Sequence, residues 1–550
     1  MNHTKYKPFP PVPLPDRLWP TKQITKAPDW CSVDLRDGNQ ALEVAMSLEQ
    51  KLEFFAFLTK IGFKDIEVGF PAASDTEFDF TRKLIDESLV PDGVAIQVLT
   101  QSREHIIERT FEALAGAKKA IVHLYNSTSV LQRNVVFRKS KEEIKEIAVD
   151  GAKRILALAE KHGRERFLFE YSPESFTGTE LDYALEVCNA VLDVWQPSER
   201  YPVIINLPST VEMATANVYA DQIEYICRHI KYREHVKISL HAHNDRGTGV
   251  AATELAILAG ADRVEGTLFG NGERTGNADI MTIALNLFSQ GIDPCLDFSQ
   301  IDEVVEIYER MTKLEVHPRH PYAGYLVFTA FSGSHQDAIK KGMDALPTDK
   351  AVWEVPYLPI DPMDVGRSYD PIIRINSQSG KGGVAYILQT YFGIYVPKEM
   401  QPDLGRTVTA VTDAGQKELL PDELYHLFRE RYVNVEAPLN LLGYSEQTNG
   451  NTAVRSTLTV NGQERQIEGE GNGIIDAFAH SLEAALDIRF EVVNYNEHSM
   501  EYGNKSRAIT YVCIKDAGGR KYFGAGLSSS ISKSSLKAVL SAVNKMLAEG

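Results

Sequence analysis

Val236-Lys-Ile-Ser-Leu-His241-Ala-His243-Asn-Asp245 is an apolar run that turns polar at its end. Read as a strand, it puts His241 and His243 on one face and Leu240 and Ala242 on the other, because side chains alternate with period two. An apolar back and a polar carboxyl end suit a buried parallel strand that opens onto a barrel mouth. Seven similar runs accompany it, at residues 30–35, 65–70, 94–100, 120–126, 166–172, 202–208 and 263–270. They are short, rich in Val, Ile and Phe, and bounded by turn residues. Helix-like stretches separate them. Residues 47–61 open with Ser47 and Gln50 placed as a capping box, and residues 141–162 repeat apolar side chains at near-helical spacing. Eight β-then-α units predict a (β/α)8 TIM barrel over residues 30–300. The rival, an open doubly wound sheet, usually carries a glycine-rich phosphate loop after its first strand, and residues 34–40 are not one.

Around the barrel the pattern changes. Residues 1–29 read as an arm, proline-rich between Tyr6 and Pro20. Residues 301–433 read as small helical subdomains, with helices expected at 300–314, 324–342, 382–391 and 416–432 and a proline-rich connector at 355–362. Residues 434–550 read as an α+β domain made of a duplicated unit. The first copy runs through strands at 456–460 and 466–469 into a helix at 474–486. The second runs through strands at 508–515 and 521–524 into a helix at 533–547. Each passes from its second strand through Gly-Xaa-Gly, at Gly469 and Gly471 and at Gly524 and Gly526. A paired unit of this kind suits a ligand-binding or dimerising module.

The length of 550 residues calls for several domains, and 43% hydrophobic with 24% charged residues is ordinary globular composition. A net charge of −17 argues against a nucleic-acid partner. No apolar run approaches the length of a membrane span, and the start lacks a secretory signal, so a cytoplasmic protein with no membrane partner is expected. The five cysteines are far apart with no CxxC pair, which fits reduced thiols rather than a disulfide framework or a zinc knuckle.

Chemistry in a barrel sits at the carboxyl ends of strands. His241 and His243, converging with the Asp37 carboxylate after strand 1, make a facial metal site with open positions. A hydrogen-bonded histidine pair without metal is the competing reading. Arg36, beside Asp37, could stabilise an oxyanion or enolate, where a surface ion pair is the plain alternative. Glu170, Ser172 and Glu174 share a face. Glu170 is expected low in the barrel, and Glu174 near the rim for acid or base work. His123 reads equally as a core histidine or a substrate contact. The loop from Gly270 to Asn277 is long and polar enough to touch substrate or metal.

Three segments, Leu35-Arg-Asp-Gly38, His241-Ala-His-Asn-Asp245 and Gly270-Asn-Gly-Glu-Arg-Thr-Gly-Asn277, resemble the metal-dependent acyl-CoA-condensing barrel family. That family includes the synthases that make 2-isopropylmalate, homocitrate and citramalate, and 3-hydroxy-3-methylglutaryl-CoA lyase. Asn39-Gln40 departs from the usual Glu-Gln. This departure, the proline-rich start, Phe331-Ser-Gly-Ser-His335-Gln-Asp and Pro356-Tyr357-Leu-Pro-Ile-Asp361 resemble the longer branch that uses 3-methyl-2-oxobutanoate.

The resemblance covers essentially the whole chain. It implies condensation of acetyl-CoA with 3-methyl-2-oxobutanoate, a homodimer, and leucine as allosteric effector on the C-terminal domain. It implies a divalent metal, Mg²⁺ first with Mn²⁺ or Zn²⁺ as alternatives, on Asp37, His241, His243 and Asn277. Arg36 would polarise the keto oxygen, and Glu174 would position or activate groups near the substrate. His335 and Tyr357 would assist proton transfer from the partner subunit, and Ser172, Thr210 and His123 would shape the keto-acid pocket. Citramalate and homocitrate synthesis are the nearest alternatives. A retro-aldol lyase would leave the duplicated module without a use, and a non-catalytic amino-acid sensor would not need the barrel residues.

Overall fold

A computed structural model describes residues 2–330, 333–346, 352–369, 381–415, 419–500 and 506–549. Its internal contacts separate residues 1–327 and 358–366 from residues 328–357 and 367–550. In the first unit, eight parallel strands close in sequence order. They are β1 (Asp29–Ser32), β2 (Asp65–Gly69), β3 (Ala95–Gln101), β4 (Ala120–Ser127), β5 (Phe167–Glu174), β6 (Val203–Ser209), β7 (Val236–Ala242) and β8 (Arg263–Gly266). The expected TIM barrel is therefore the fold. Its helices are α1 (Leu48–Ile61), α2 (Asp75–Asp86), α3 (Glu104–Ala113), α4 (Lys141–His162), α5 (Leu181–Trp195), α6 (Ala216–His229), α7 (Gly249–Leu258) and α8 (Ile280–Phe288), with α9 (Ile301–Thr312) after them.

Local chemistry sets these elements. Ser47 and Gln50 exchange the two hydrogen bonds of a capping box at the start of α1, and Ser140 and Glu143 do the same for α4. Strand residues that face the helices are apolar and buried, such as Val122, Leu124, Ile205, Leu207, Leu240 and Ala242. The N-terminal arm is tied to α6. Arg17 makes two hydrogen bonds to Asp221, of 2.8 and 2.9 Å, and Trp19 Nε1 donates to the same carboxylate at 2.8 Å. Glu224 accepts from the backbone N–H groups of Leu18 and Trp19.

The second unit carries α10 (Gly333–Ala345), α11 (Lys381–Phe392), α12 (Gln401–Gly415) and α13 (Pro421–Tyr432). After them come β9 (Leu439–Asn449), β10 (Asn451–Val460), β11 (Gln463–Gly471), α14 (Ile474–Leu486), β12 (Phe490–Ser499), β13 (Ala508–Asp516), β14 (Lys521–Ser528) and α15 (Ile531–Glu549). The duplication is present with one more strand per copy than expected: two antiparallel three-stranded sheets, ordered β11-β10-β9 and β12-β13-β14, each followed by a helix. β9 and β12 carry mostly exposed polar residues, so they lack the apolar alternation that marks a strand. The helix expected at 324–342 begins at Gly333, after a stretch of turns through residue 328. α12 escaped notice because Pro402 and Gly405 read as breakers, yet proline is tolerated in a first turn. The helix expected at 416–432 starts partly outside the described residues.

Both Gly-Xaa-Gly segments have one cause. A Cβ on Gly524 would lie 2.2 Å from Ala542 N and 2.5 Å from Ala538 O, and one on Gly469 would lie 2.4 Å from Ala477 O. The backbones of α15 and α14 rest directly on these strands. Apolar residues of both copies, among them Leu441, Val454, Phe478, Ile514, Leu536 and Val539, then fill one shared core. Gly524→Ala is expected to destabilise this unit by about 1–3 kcal/mol, since backbone must move to admit the methyl group. Gly443→Ala, where a Cβ meets nothing within 4 Å, is expected to stay within about 0.5 kcal/mol of the parent. Denaturant unfolding of the two variants checks the difference.

Candidate active site and metal centre

The carboxyl end of β1 runs into a buried turn, Asp34–Gly38, that presents Arg36 and Asp37. Arg36 Nε donates to Glu67 Oε2 at 2.8 Å, and Arg36 Nη1 donates to Asp37 Oδ1 at 2.9 Å. Beneath the turn Asp34 accepts from Ser32 Oγ at 2.8 Å and from Leu268 N at 3.1 Å, which joins the ends of β1 and β8.

His241 and His243 point to the same side as Asp37. Their Nε2 atoms lie 3.5 and 3.9 Å from Asp37 Oδ2. All three side chains are buried, and their ligand atoms lie within 4.8 Å of one another. Asn277 joins them through backbone pairing. The loop after β8 folds back so that Ala278 N donates to Ala242 O at 2.7 Å and Asn244 N donates to Gly276 O at 3.0 Å. Asn277 Nδ2 then donates to Asp37 Oδ2 at 2.7 Å. The fold-back needs glycine at Gly276, which has φ +94° and whose Cβ would lie 1.8 Å from Gly270 O.

Two observations test the fit of a cation here. His243 Nδ1 and Asn277 Oδ1 are buried without a hydrogen-bond partner, so donor capacity is left over. The electrostatics favour positive charge beside Asp37 and Glu265, at His241, and keep His243 neutral. Burial opposes that charge at His241, but hydrogen bonds to Asp37 and Glu265 and their charges lift that imidazole to about 9. Burial and the neighbouring His241 push His243 down to about 4. Burial raises Asp37 as well, but Arg36 and the two histidines outweigh it and hold the carboxylate ionised. Carboxylate and imidazole donors of this kind fit a divalent cation.

A second buried group, His123, Glu170 and Glu265, also brings its ligand atoms within 4.8 Å of one another. Arg263 already fills it, with Nη1 2.8 Å from Glu265 Oε1 and 3.3 Å from Glu170 Oε2. The carboxylates of that cluster are paired with the Arg263 guanidinium. Burial and the charge of Glu265 push the Glu170 carboxyl well up.

The remaining sequence-derived residues fall into three places. His123 and Ser172 connect to the centre: His123 Nε2 and Ser172 Oγ are 2.7 Å apart, and His123 Nδ1 is 3.0 Å from Glu67 Oε1, which holds Arg36. Glu174, partly exposed at the end of β5, accepts from Ser127 Oγ, and Thr210 Oγ1 accepts from Ser175 N at 2.9 Å. His335 and Tyr357 lie in the other unit and stack on each other with ring centroids 4.1 Å apart. Sequence reading missed Glu67, Arg263 and Glu265 as residues that support the site, and Gln97 as part of the buried polar network around Arg263. The available signal was a polar residue isolated in an apolar strand, as in Asp65-Ile-Glu67-Val and Ala95-Ile-Gln97-Val.

A metal-ready cluster at the open end of a closed eight-stranded barrel places the chain among barrel enzymes with a metal centre. Residues 27–307, more than half of the chain, match the family model described as HMGL-like. Residues 325–389 match the alpha-isopropylmalate synthase post-catalytic domain-like model, and residues 418–547 match the LeuA allosteric (dimerisation) domain. A 2-isopropylmalate synthase of Acetoanaerobium sticklandii is 59% identical over 551 residues, covering 100% of this chain and 97% of that protein. Proteins of the same name from Clostridium acetobutylicum and Rhizobium johnstonii are 54% and 56% identical, each covering 99% of this chain and 99% and 98% of their own length. The chain belongs to the 2-isopropylmalate synthase family.

His241→Ala is expected to weaken Mn²⁺ binding by more than the roughly 10–100-fold that loss of an outer-shell partner costs. Equilibrium dialysis of the full chain measures this, and parent-level binding by the variant would place the ion elsewhere. Asp34 gives a pH prediction. Burial raises its carboxyl from an ordinary 3.8 to about 7, so the folded state holds an extra proton between those values. Its contribution to stability therefore falls as pH rises through that window. Asp34→Asn is expected to gain stability relative to the parent from about pH 4 to 7 and to keep a constant offset above. Urea midpoints at several pH values test it, and a parallel pair of profiles would refute it.

Proposed function

We propose that the protein condenses acetyl-CoA with 3-methyl-2-oxobutanoate and hydrolyses the thioester, releasing 2-isopropylmalate and CoA. The observation that carries this reading is the full-length identity to proteins of that name, and the buried Asp37, His241 and His243 set supports it. In the reaction the acetyl methyl carbon loses a proton and bonds to the keto carbon. The keto oxygen gains a proton, and water replaces the CoA sulfur.

Asp37, His241, His243 and Asn277 would hold a divalent ion, Mg²⁺ first, with Mn²⁺ and Zn²⁺ as alternatives. When bound, such an ion supplies Lewis acidity toward the keto-acid oxygens and orients them. Arg36, fixed by Glu67 and Asp37, has spare N–H donors for charge that develops on the keto oxygen. Ser172, Thr210 and His123 would shape the keto-acid pocket. Glu174, at the end of β5, would do acid or base work near the substrate. His335 and Tyr357 would assist proton transfer in the homodimer. The C-terminal duplicated domain would bind leucine and pass inhibition to the barrel. A cytoplasmic location is supported by the free thiols of all five cysteines, and among the described residues no helix is long and apolar enough to cross a membrane.

A CoA-release assay with pyruvate, 3-methyl-2-oxobutanoate and 2-oxoglutarate, run with and without leucine, tests the reading. The branched keto acid is expected to be preferred over pyruvate by at least about 10-fold, in the range that added methyl groups supply in an apolar pocket. Leucine is expected to lower the rate. Preference for pyruvate or 2-oxoglutarate overturns the substrate assignment, and indifference to leucine overturns the effector assignment.

A further inference from the structure

Glu265 on β8 has no exposed side-chain surface, and donors surround its carboxylate. Oε2 accepts from Asn206 Nδ2 at 3.1 Å and faces His241 Nδ1 at 2.8 Å. Oε1 accepts from Gln97 Nε2 at 2.9 Å and Arg263 Nη1 at 2.8 Å. An ionised carboxylate only accepts, so the His241 nitrogen that faces it must carry the hydrogen. A neutral imidazole with its hydrogen on Nδ1 has a bare Nε2, and that atom is the one turned toward Asp37. His243 has no such partner, because its Nδ1 makes no hydrogen bond.

We propose that Glu265 is a positioning residue for the metal centre, fixing the His241 tautomer that leaves Nε2 free to bind the ion. The proposal rests on the metal reading of Asp37, His241 and His243.

Glu265→Gln probes it with almost no change in shape. The new amide NH2 group cannot face Arg263, whose guanidinium only donates. On the other side both neighbours can adapt. Asn206 Oδ1 has no partner and can turn to accept, and His241 can accept at Nδ1 once its hydrogen moves to Nε2. That shift closes the ligand position.

The experiment is Mn²⁺ binding to the full-length chain followed by EPR, for the parent, Glu265→Gln and Gln97→Ala, with melting curves of the metal-free proteins. The parent is expected to bind Mn²⁺. Glu265→Gln is expected to bind about 10–100-fold more weakly. Gln97→Ala takes one acceptor from Arg263 and is expected to lower the melting temperature, but it does not touch His241, so Mn²⁺ binding by the folded variant is expected to stay close to the parent. If the parent binds no ion, the metal reading falls and the proposal with it. If the parent binds and Glu265→Gln binds equally well, only the proposal falls. Equal losses in both variants would show a general loosening of the barrel core and overturn the tautomer account.

Should Glu265→Gln fail to fold, the Zn²⁺-loaded parent with ¹⁵N-labelled histidine decides by NMR, with the His241 signal assigned from its absence in His241→Ala. Metal on Nε2 and hydrogen on Nδ1 is expected. Metal on Nδ1 of His241 overturns the proposal.

Discussion

Arg263 has no exposed surface, and a guanidinium can stay charged at such depth only where nearly all of its hydrogens meet acceptors. The barrel supplies them from five strands. Nε donates to Asp65 on β2, and Nη2 donates to Gln97 on β3 at 2.7 Å. Nη1 reaches Glu170 on β5, Ser239 on β7 and Glu265 on β8. Removing one acceptor would leave the donor that faces it buried with one partner fewer, at a cost of about 1–3 kcal/mol where none remains, so these strands are held in mutual register. Arginine suits this position better than lysine, because its planar fork reaches several fixed acceptors at once.

The mouth of the barrel inherits that order. Burial works against ionisation of Glu265, but the hydrogen bond from His241 and then the charge of Arg263 outweigh it and hold the carboxyl well below the ordinary range. Held ionised, Glu265 orients His241. A second chain runs from Glu67 to Arg36 on one side and through His123 to Ser172 on the other. Reactive groups at the rim are thus fixed from below by buried polar contacts rather than by the loops that carry them. The loop after β8 is different: its geometry comes from backbone pairing with the end of β7, and glycine permits that approach.

Much of this was legible in the sequence. All eight barrel strands announce themselves because parallel strands buried on both faces read as apolar runs. Spacing alone placed His241 and His243 on one face, and the barrel context put Asp37 opposite them. Asn277 did not follow from any periodicity. It reaches the centre through a loop pairing that depends on three-dimensional closure, and only resemblance pointed to it. Glu67 and Glu265 were hidden for another reason. A charged residue inside an apolar strand looks like a pattern error until its partner is known, and Arg36 and Arg263 sit far away in sequence from several of the groups they pair with.

The C-terminal domain obeys a different constraint. Each copy of its unit offers one helix and a three-stranded sheet, and two of those strands, β9 and β12, are mostly exposed. One copy alone has too little apolar surface for an independent core. Sharing a core solves the problem, but only if both helices approach their strands closely enough for side chains of the two copies to meet. Gly469 and Gly524 permit that approach by removing the side chain at the contact. The repeated Gly-Xaa-Gly, read from sequence as a sign of duplication, is therefore the packing device that lets two weak units form one domain.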